Sequence, residues 1–383
     1  MSKSNGFDTN SIHAGEPKPR IKGAITLPIF QSATYDHDED LKYDDIKYMR
    51  LSNTPNHEAL NKKLAILENG EEGFVGASGM ASISATLISC LEKGDHVLLQ
   101  NGIYGGTYGL VTQHFPAMGI DFDFIDATNK NQWSSKLKPK TKAIYVETIS
   151  NPLLEIPDLR AVVEFAKANR LMSIIDNTFA SPVNFRPIEV GFDLVVHSAT
   201  KYLNGHSDIV AGVVVGRKSQ IQKIAKKQKY FGGSLDAHAC FLLQRGLKTL
   251  GVRMRYQNES ALKIAQHLEK HSEISKVHYP GLKSHAQHSR AQELFSGFGG
   301  MISFRVKDPS QKAQSLLKKL ELIAHAPSLG GVESLITRPA HSSHGNLSKE
   351  DKEKTGITDD LFRLSVGLET TSDLVAELDS ALS

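Results

Sequence analysis

A lysine follows an apolar stretch that is typical of a buried strand. The stretch DLVVHS (193–198) is short and rich in β-branched residues, and Lys201 comes just beyond it in HSATKYLNGHSD. Open α/β sheets gather their ligands at such strand ends. Lysine is costly to bury as a cation, yet its amine readily forms Schiff bases once its pKa is lowered. We therefore predict that Lys201 is an amine nucleophile rather than a surface charge.

Three further stretches bring chemistry-bearing residues to the ends of predicted strands. GASGMAS (76–82) opens a helix whose first N–H groups suit a phosphate, with Gly79 permitting close approach; a plain strand-to-helix link is the alternative. NGIYGGTYG (101–109) places Tyr104 on a glycine-rich loop, where it could stack on a planar ring or simply pack. SIID (173–176) ends with the carboxylate of Asp176, which would pair with a protonated ring nitrogen or cap the next turn.

Together these four features match the requirements of pyridoxal 5′-phosphate. A lysine holds its aldehyde as a Schiff base, a helix start holds its phosphate, and an aspartate pairs with its pyridinium nitrogen. With that nitrogen protonated, the ring is an electron sink for a carbanion at the substrate Cα. The residues therefore predict a pyridoxal-phosphate-dependent enzyme.

The elements that must position these residues alternate along the chain. Short apolar strands such as KAIYVET and MSIIDN alternate with helix-length stretches, which predicts a mainly parallel sheet covered on both faces. After about residue 245, long helical stretches accompany isolated strands, which predicts a smaller α+β domain. We predict an N-terminal arm (1–55) with few periodic signals, a large cofactor-binding domain (56–247) and a C-terminal substrate-binding domain (248–383).

Composition excludes several classes of protein. The 383 residues are 40% hydrophobic and 23% charged, as in an ordinary globular protein, and the net charge of +3 favours neither a nucleic-acid nor a membrane-surface partner. Two cysteines make no disulfide framework, and neither a signal peptide nor a membrane-spanning run is evident, so we expect a cytoplasmic protein. His285 with His288, and His341 with His344, lack cysteine or carboxylate companions, so we predict no metal site.

A long series of motifs resembles one known family. The series runs through ASGMASI, GDHVLLQNGIYGGTY, TKAIYVETISNP, DNTFASP, HSATKYLNGHSD, RGLKTLGVRM, GFGGMISF, SLGGVESL and LFRLSVGLE. It resembles the cysteine–methionine metabolism family of pyridoxal-phosphate enzymes, which includes cystathionine γ-synthases, γ-lyases and β-lyases and methionine γ-lyase. The resemblance implies their aminotransferase-like α/β fold (fold type I), assembled as a homotetramer of two tight dimers.

The resemblance also implies a role for individual residues. Lys201 would carry the cofactor, Asp176 would pair with its ring nitrogen, and Tyr104 would stack on its ring. Phosphate contacts would come from one subunit and, through the arm, from its neighbour: Gly79, Met80, Ser198 and Thr200, then Tyr48 and Arg50. Asn151 and Arg363 would bind the substrate α-carboxylate, supported by the backbone of Ser328.

Some positions depart from the family pattern. After YMR the family usually has Gly-Asn-Pro-Thr, whereas this chain has LSNTPN (51–56). Gly109 stands where many cystathionine enzymes have an arginine that would meet the distal carboxylate, and Gly106 stands where methionine γ-lyases have a cysteine. Glu333 resembles the γ-acting cystathionine enzymes and could attract the distal ammonium of the substrate, although an exposed glutamate of no consequence is the alternative.

These observations predict a carbon–sulfur lyase of transsulfuration. The expected substrate is L-cystathionine, a small sulfur amino acid, with γ-cleavage preferred over β-cleavage. Two alternatives remain at this stage. One is a cystathionine γ-synthase that adds cysteine to an activated homoserine ester, and the other is a non-catalytic protein that keeps the fold for sensing or scaffolding.

Overall fold

The computed structural model describes residues 5–342, 345, 350, 352 and 355–383, and strands and helices alternate through most of this part. The described strands are β1 (Glu72–Gly76), β2 (His96–Gln100), β3 (Asp121–Ile125), β4 (Thr141–Glu147), β5 (Met172–Asp176), β6 (Leu194–Ser198), β7 (Gly212–Gly216), β8 (Ile274–His278), β9 (Met301–Val306), β10 (Ala324–His325), β11 (Leu335–Thr337) and β12 (Leu361–Ser365). The described α-helices are α1 (Phe7–His13), α2 (Pro55–Leu67), α3 (Gly79–Cys90), α4 (Gly105–Gly109), α5 (Trp133–Lys136), α6 (Leu159–Asn169), α7 (Ser181–Asn184), α8 (Pro187–Val190), α9 (Lys218–Phe231), α10 (Ala237–Leu247), α11 (Leu250–Leu268), α12 (His288–Leu294), α13 (Pro309–Lys319) and α14 (Thr371–Leu382).

The larger sheet confirms the predicted α/β class. Its described strands lie in the order β1-β7-β6-β5-β4-β2-β3. Strand β7 is antiparallel to both neighbours, and the pairs from β6 through β3 are parallel. Every residue of β2 and β7 is buried. This burial on both faces explains why these strands are apolar runs rather than alternating patterns.

The order of the strands brings the predicted site residues to one edge of this sheet. Strands β5 and β6 are parallel neighbours that end at Asp176 and Ser198, and Lys201 follows three residues later. Strand β1 runs in the same direction as β6 because β7 is antiparallel to both, and helix α3 begins at Gly79 just beyond it. A helix start, an aspartate and a lysine therefore meet at the carboxyl ends of the strands.

A second sheet carries the predicted carboxylate-binding arginine. Its order among the described residues is β10-β11-β12-β9-β8, and helices α11, α13 and α14 pack against it around an apolar core. Arg363 lies on the central strand β12, where it pairs with Ser303 and Thr337. The sequence indicated β9 and β12 but not the short strands β8, β10 and β11. The domain boundaries 56–247 and 248–383 stay predictions.

Within the predicted arm, residues Phe7–His13 form helix α1, which the sequence did not indicate. Lys63, wholly buried on α2, donates hydrogen bonds from Nζ to the carbonyls of Ser11 at 2.8 Å and Ile12 at 3.1 Å. These contacts cap the end of α1, because the last carbonyls of a helix have no partner within it. Burial lowers the pKa of Lys63 to about 8. None of the described helices combines the length and apolarity needed to span a membrane.

Candidate active site

Lys201 is held at the junction of the two sheets. Its Nζ donates a hydrogen bond to Oγ of Ser328 at 2.8 Å, which ties the end of the large sheet to the segment before β11. Burial, reinforced by the nearby charge of Arg363, lowers the pKa of Lys201 to about 8. At neutral pH a larger fraction of this amine is therefore unprotonated than in an exposed lysine, and the unprotonated amine can act as a nucleophile or base.

Asp176 is buried in a cluster of acidic groups at the ends of β4 and β5. It is paired in register with Glu147, and the hydroxyl of Tyr145 donates to its Oδ2 at 3.4 Å. Burial raises the pKa of Asp176, although a hydrogen bond from the backbone N–H of Thr178 at 2.9 Å opposes the shift. Burial and the neighbouring Asp176 raise the pKa of Glu147 well above its usual range. A cationic partner would stabilise the ionised form of Asp176 and so oppose this rise in its pKa.

The start of helix α3 forms a cradle with the end of β6. A Cβ added to Gly79 would lie 2.9 to 3.0 Å from Ser198, so only glycine allows this approach. Ser78 accepts a hydrogen bond from the N–H of Ala81, which leaves the N–H groups of Gly79 and Met80 without an acceptor inside the helix. Thr200 lies on the other side, where its Oγ1 accepts a hydrogen bond from the N–H of Ala211 at 3.0 Å.

Tyr104 stands at the mouth of the site, with 44% of its surface exposed. Its backbone N–H donates to Oε1 of Glu147 at 2.6 Å, so the buried carboxyl fixes the start of the glycine-rich loop. A Cβ on Gly106 would come within 2.6 Å of the Tyr104 ring and 2.8 Å of the Met80 sulfur. The glycine therefore lets the ring lie beside the helix start.

Arg363 presents a buried guanidinium beside Lys201. Nη1 donates to Oδ1 of Asn151 at 2.8 Å, and Nη2 donates to the carbonyl of Ser328 at 3.2 Å. Its Nε is buried without a protein partner among the described residues, and burial lowers the pKa of Arg363 to about 10. Ser328 has a φ of 102°, a region that non-glycine residues rarely adopt. A carboxylate would satisfy the remaining donors.

Glu333 and Gly109 affect the expected substrate specificity in opposite ways. The Oε1 of Glu333 accepts a hydrogen bond from the hydroxyl of Ser207, in the loop that follows Lys201. Gly109 ends helix α4, and a Cβ added there would meet no heavy atom within 4 Å. The position therefore has room for a longer side chain that this chain lacks.

Tyr48 and Arg50 stand apart from the residues around Lys201. Arg50 donates hydrogen bonds to the carbonyl of Lys229 and the hydroxyl of Tyr43, both at 3.0 Å, and stacks over the Tyr48 ring. Both side chains are exposed, at the end of helix α9. Within one chain, they make these contacts instead of completing the phosphate cradle.

Sequence reasoning missed several groups that the fold brings to the site. Glu147 is the last residue of strand β4, as Asp176 is of β5. The same argument from strand ends could therefore have identified the Glu147 carboxylate. The side-chain bond from Lys201 to Ser328 joins residues 127 positions apart and has no local signal. Among the described residues, no cluster of three or more histidine, cysteine, aspartate or glutamate side chains is arranged to hold a metal ion. His344 lies outside the described residues.

The chain is similar to known enzymes over nearly its whole length. The family model for Cys/Met metabolism PLP-dependent enzymes matches residues 8–383. The chain belongs to this family. A cystathionine β-lyase of Coxiella burnetii is 42% identical over 100% of this chain and 99% of its own length. The crystal structure of a cystathionine γ-lyase from Lactobacillus plantarum is 39% identical, covers 98% of both chains and has a TM-score of 0.94. A cystathionine γ-synthase from Xanthomonas oryzae is 36% identical over 99% of this chain and 98% of its own, with a TM-score of 0.95.

This membership decides the class of the protein. It is a pyridoxal-phosphate-dependent enzyme of cysteine and methionine metabolism, of the carbon–sulfur lyase type. The non-catalytic alternative is therefore set aside. The fold type I architecture inferred from the motifs is likewise confirmed.

The residues present fit the cofactor on structural grounds of their own. The glycine-lined cradle at Gly79 offers two N–H groups to a phosphate, as helix starts do. Asp176 is a buried carboxylate in need of a cationic partner, and Lys201 is an amine with a lowered pKa. An anion site, an amine and a carboxylate are the groups that this cofactor requires of a protein.

Proposed function

We propose that the enzyme cleaves L-cystathionine, and that it breaks the bond at the γ-carbon in preference to the β-carbon. γ-Cleavage consumes water and gives cysteine, 2-oxobutyrate and ammonia. The observation that carries the proposal is Glu333, whose carboxylate contacts the loop after Lys201 and would favour a substrate with a distal ammonium, as cystathionine has. The preference for the γ-carbon rests on the resemblance of Glu333 to the γ-acting cystathionine enzymes. The Coxiella relative is named a β-lyase and the Lactobacillus structure a γ-lyase, so the comparisons leave this choice open.

The cofactor would be held by the cradle and the acidic cluster. Gly79, Met80, Ser198 and Thr200 would bind its phosphate, and Asp176 would pair with its ring nitrogen. Tyr104 would stack on the ring from the open side of the site. When bound, pyridoxal phosphate supplies an electron sink for the negative charge left at the substrate Cα.

The protein's own groups would then bind the substrate and move its protons. Arg363, oriented by Asn151 and the carbonyl of Ser328, would grip the α-carboxylate with its free donors. Lys201 would remove the Cα proton as general base and return protons as the sulfur leaves. Its lowered pKa suits this work, because a base is most effective when its pKa lies near the operating pH.

The distal end of cystathionine would be bound less tightly than in many relatives. Gly109 provides no cation for the distal carboxylate, and the space around it is open. An ionic contact that is made equally in ground and transition states affects KM rather than kcat. We therefore expect a high KM for cystathionine with an ordinary kcat.

Product analysis tests the proposed reaction. The holoenzyme is incubated with L-cystathionine, and the keto acids and thiols are separated by chromatography. We expect 2-oxobutyrate and cysteine in equal amounts as the main products. Pyruvate with homocysteine as the main products would reverse the preference. No keto acid from cystathionine, together with cystathionine made from an O-acyl-homoserine and cysteine, would assign the protein to the synthases, as the Xanthomonas neighbour is named.

The proposal includes a homotetramer of two tight dimers with shared sites. Tyr48 and Arg50 are exposed on the arm beside the end of α9, which leaves them accessible to a neighbouring subunit. Arg50→Ala should weaken retention of pyridoxal phosphate about ten-fold, since it removes a charge-assisted hydrogen bond. Arg217→Ala is the control, because Arg217 is an exposed arginine at the opposite end of α9.

Hybrids of Arg50→Ala and Lys201→Ala subunits test the sharing directly. Arg50→Ala and Lys201→Ala subunits are unfolded together, refolded and purified by two affinity tags. The assay uses a pyridoxal phosphate concentration low enough that the Arg50→Ala parent loses most of its cofactor. If Arg50 acts across the interface, each hybrid dimer holds one intact site and is active at this concentration, whereas neither parent is. Verified hybrids that stay as inactive as the parents would contradict sharing.

A further inference from the structure

A buried chain of polar side chains lies behind the ends of strands β4, β5 and β6. Nε2 of His197 donates to Oε1 of Glu68 at 2.6 Å, and the same oxygen accepts from Nδ2 of Asn177 at 3.1 Å. Oδ1 of Asn177 in turn accepts from the hydroxyl of Thr148 at 2.8 Å. These hydrogen bonds therefore join the end of α2, where Glu68 is the residue after the last turn, to the ends of three adjacent strands.

These groups are removed from water. Glu68 and His197 are each 1% exposed, and Asn177 and Thr148 are fully buried. Among the described residues, Oε2 of Glu68 and Nδ1 of His197 have no hydrogen-bond partner. Charges in such a place are screened little, so they act over greater distances than at the surface.

Three of these hydrogen-bonded residues are neighbours in sequence of active-site residues. His197 precedes Ser198, Asn177 follows Asp176, and Thr148 follows Glu147. Asp176 pairs with Val196 in the sheet, so alternation along β6 places His197 on the opposite face from Asp176. The His197 ring, which contacts Glu68, therefore lies behind the sheet, on the face opposite the Asp176 side chain.

The groups near Asp176 have opposing effects on its ionisation. From β4, Tyr145 donates a hydrogen bond, and Glu147 is a second buried carboxyl paired in register. From β6, the positive charge of His197 lowers the pKa of Asp176, against the larger effect of burial, which raises it. The His197 ring is held by Glu68, whose Oε1 lies 2.6 Å from its Nε2.

We infer that His197, held by Glu68, is a positioning residue that keeps Asp176 ionised so that it can pair with the protonated ring nitrogen. The inference rests on the proposed role of Asp176. Without the imidazolium, the pKa of Asp176 rises further above its ordinary value. The carboxylate then takes a proton, and the cofactor loses its charged partner, at a higher pH than in the wild type.

The experiment follows the dissociation constant of pyridoxal phosphate from pH 5.5 to 9 by equilibrium dialysis of the apoenzyme. His197→Gln keeps an N–H donor for Glu68 but lacks the charge, so it separates electrostatics from hydrogen bonding. We expect the acid midpoint of cofactor affinity to move up by about one pH unit. His197→Asn, a smaller uncharged replacement, should move it in the same direction and serves if the glutamine variant does not fold.

His96→Gln is the matched control. His96 is also a strand histidine that is 1% exposed and lies 3.3 Å from a carboxylate, Asp123, but it begins β2 at the opposite edge of the sheet. Its replacement should lower the urea midpoint without moving the pH midpoint of cofactor affinity. An equal pH shift in His96→Gln would overturn the inference, because the effect would then be general destabilisation.

Asp176→Asn separates failure of this inference from failure of the proposed function. It should weaken cofactor binding and abolish the acid midpoint. If it does so while both His197 variants keep the wild-type midpoint, the inference is overturned and the role of Asp176 stands. If Asp176→Asn keeps the wild-type pH dependence, the role of Asp176 falls and this inference falls with it.

Discussion

Replacing Lys201 with alanine should lower kcat for cystathionine by at least about 10³-fold while leaving the fold intact. The amine would be lost both as the attachment point for the cofactor and as the base at the substrate Cα. Its surroundings should survive, because its side chain makes one hydrogen bond, to Ser328, rather than filling the core. Steady-state kinetics with saturating pyridoxal phosphate measure the loss, and circular dichroism checks the fold.

Lys63→Met is the matched control for this prediction. Lys63 is a second buried lysine whose pKa burial lowers to about 8, but its ammonium caps helix α1 through backbone carbonyls. Its replacement should lower the free energy of unfolding and retain turnover. Equal loss of turnover in the two variants, or substantial activity in Lys201→Ala, would contradict the assignment.

Replacing Arg363 with lysine should lower kcat/KM for cystathionine about ten- to a hundred-fold, chiefly through KM. The ammonium cannot reproduce the guanidinium fork that binds Asn151, Ser328 and a carboxylate together. The loss corresponds to about 1.5–3 kcal/mol, the usual worth of a charged hydrogen bond. Initial rates over a range of cystathionine concentrations separate KM from kcat.

Two comparisons make the Arg363 result specific. Arg305→Lys is the control, because Arg305 lies on the adjacent strand β9 and its Nη1 binds Asp360 at 2.9 Å instead of facing Lys201. An α-carboxamide analogue of cystathionine, which lacks the anion, should lose little in Arg363→Lys. A loss that is as large for the analogue as for cystathionine would show that Arg363 does not bind the carboxylate.

The parts of the site that lie on strand ends could be predicted from the sequence. Asp176 ends a short, mostly apolar strand, Lys201 follows another by three residues, and Gly79 opens a helix just after a third. Local pattern and the geometry of parallel sheets therefore place all three at one edge. The resemblance to the family added Arg363 and Asn151, which the fold brings within 2.8 Å of each other from positions 212 residues apart.

The remaining features depend on tertiary contacts that carry no local signal. Helix α1 has only seven residues, too few to be stable alone, and is held by the buried Lys63 of another helix. Glu68 and His197 meet across 129 residues, and each taken singly reads as an ordinary polar residue. Strand β10 is two residues long and β11 three, too short for a period to be read.

The most direct test of the account is the site at which the cofactor is attached. The holoenzyme is reduced with sodium borohydride, digested, and its pyridoxyl-modified peptide is sequenced by mass spectrometry. We predict one modified residue, Lys201, in the peptide that contains HSATKYLNGHSD. A label on another lysine, above all on Lys63 with its similarly lowered pKa, would contradict the account.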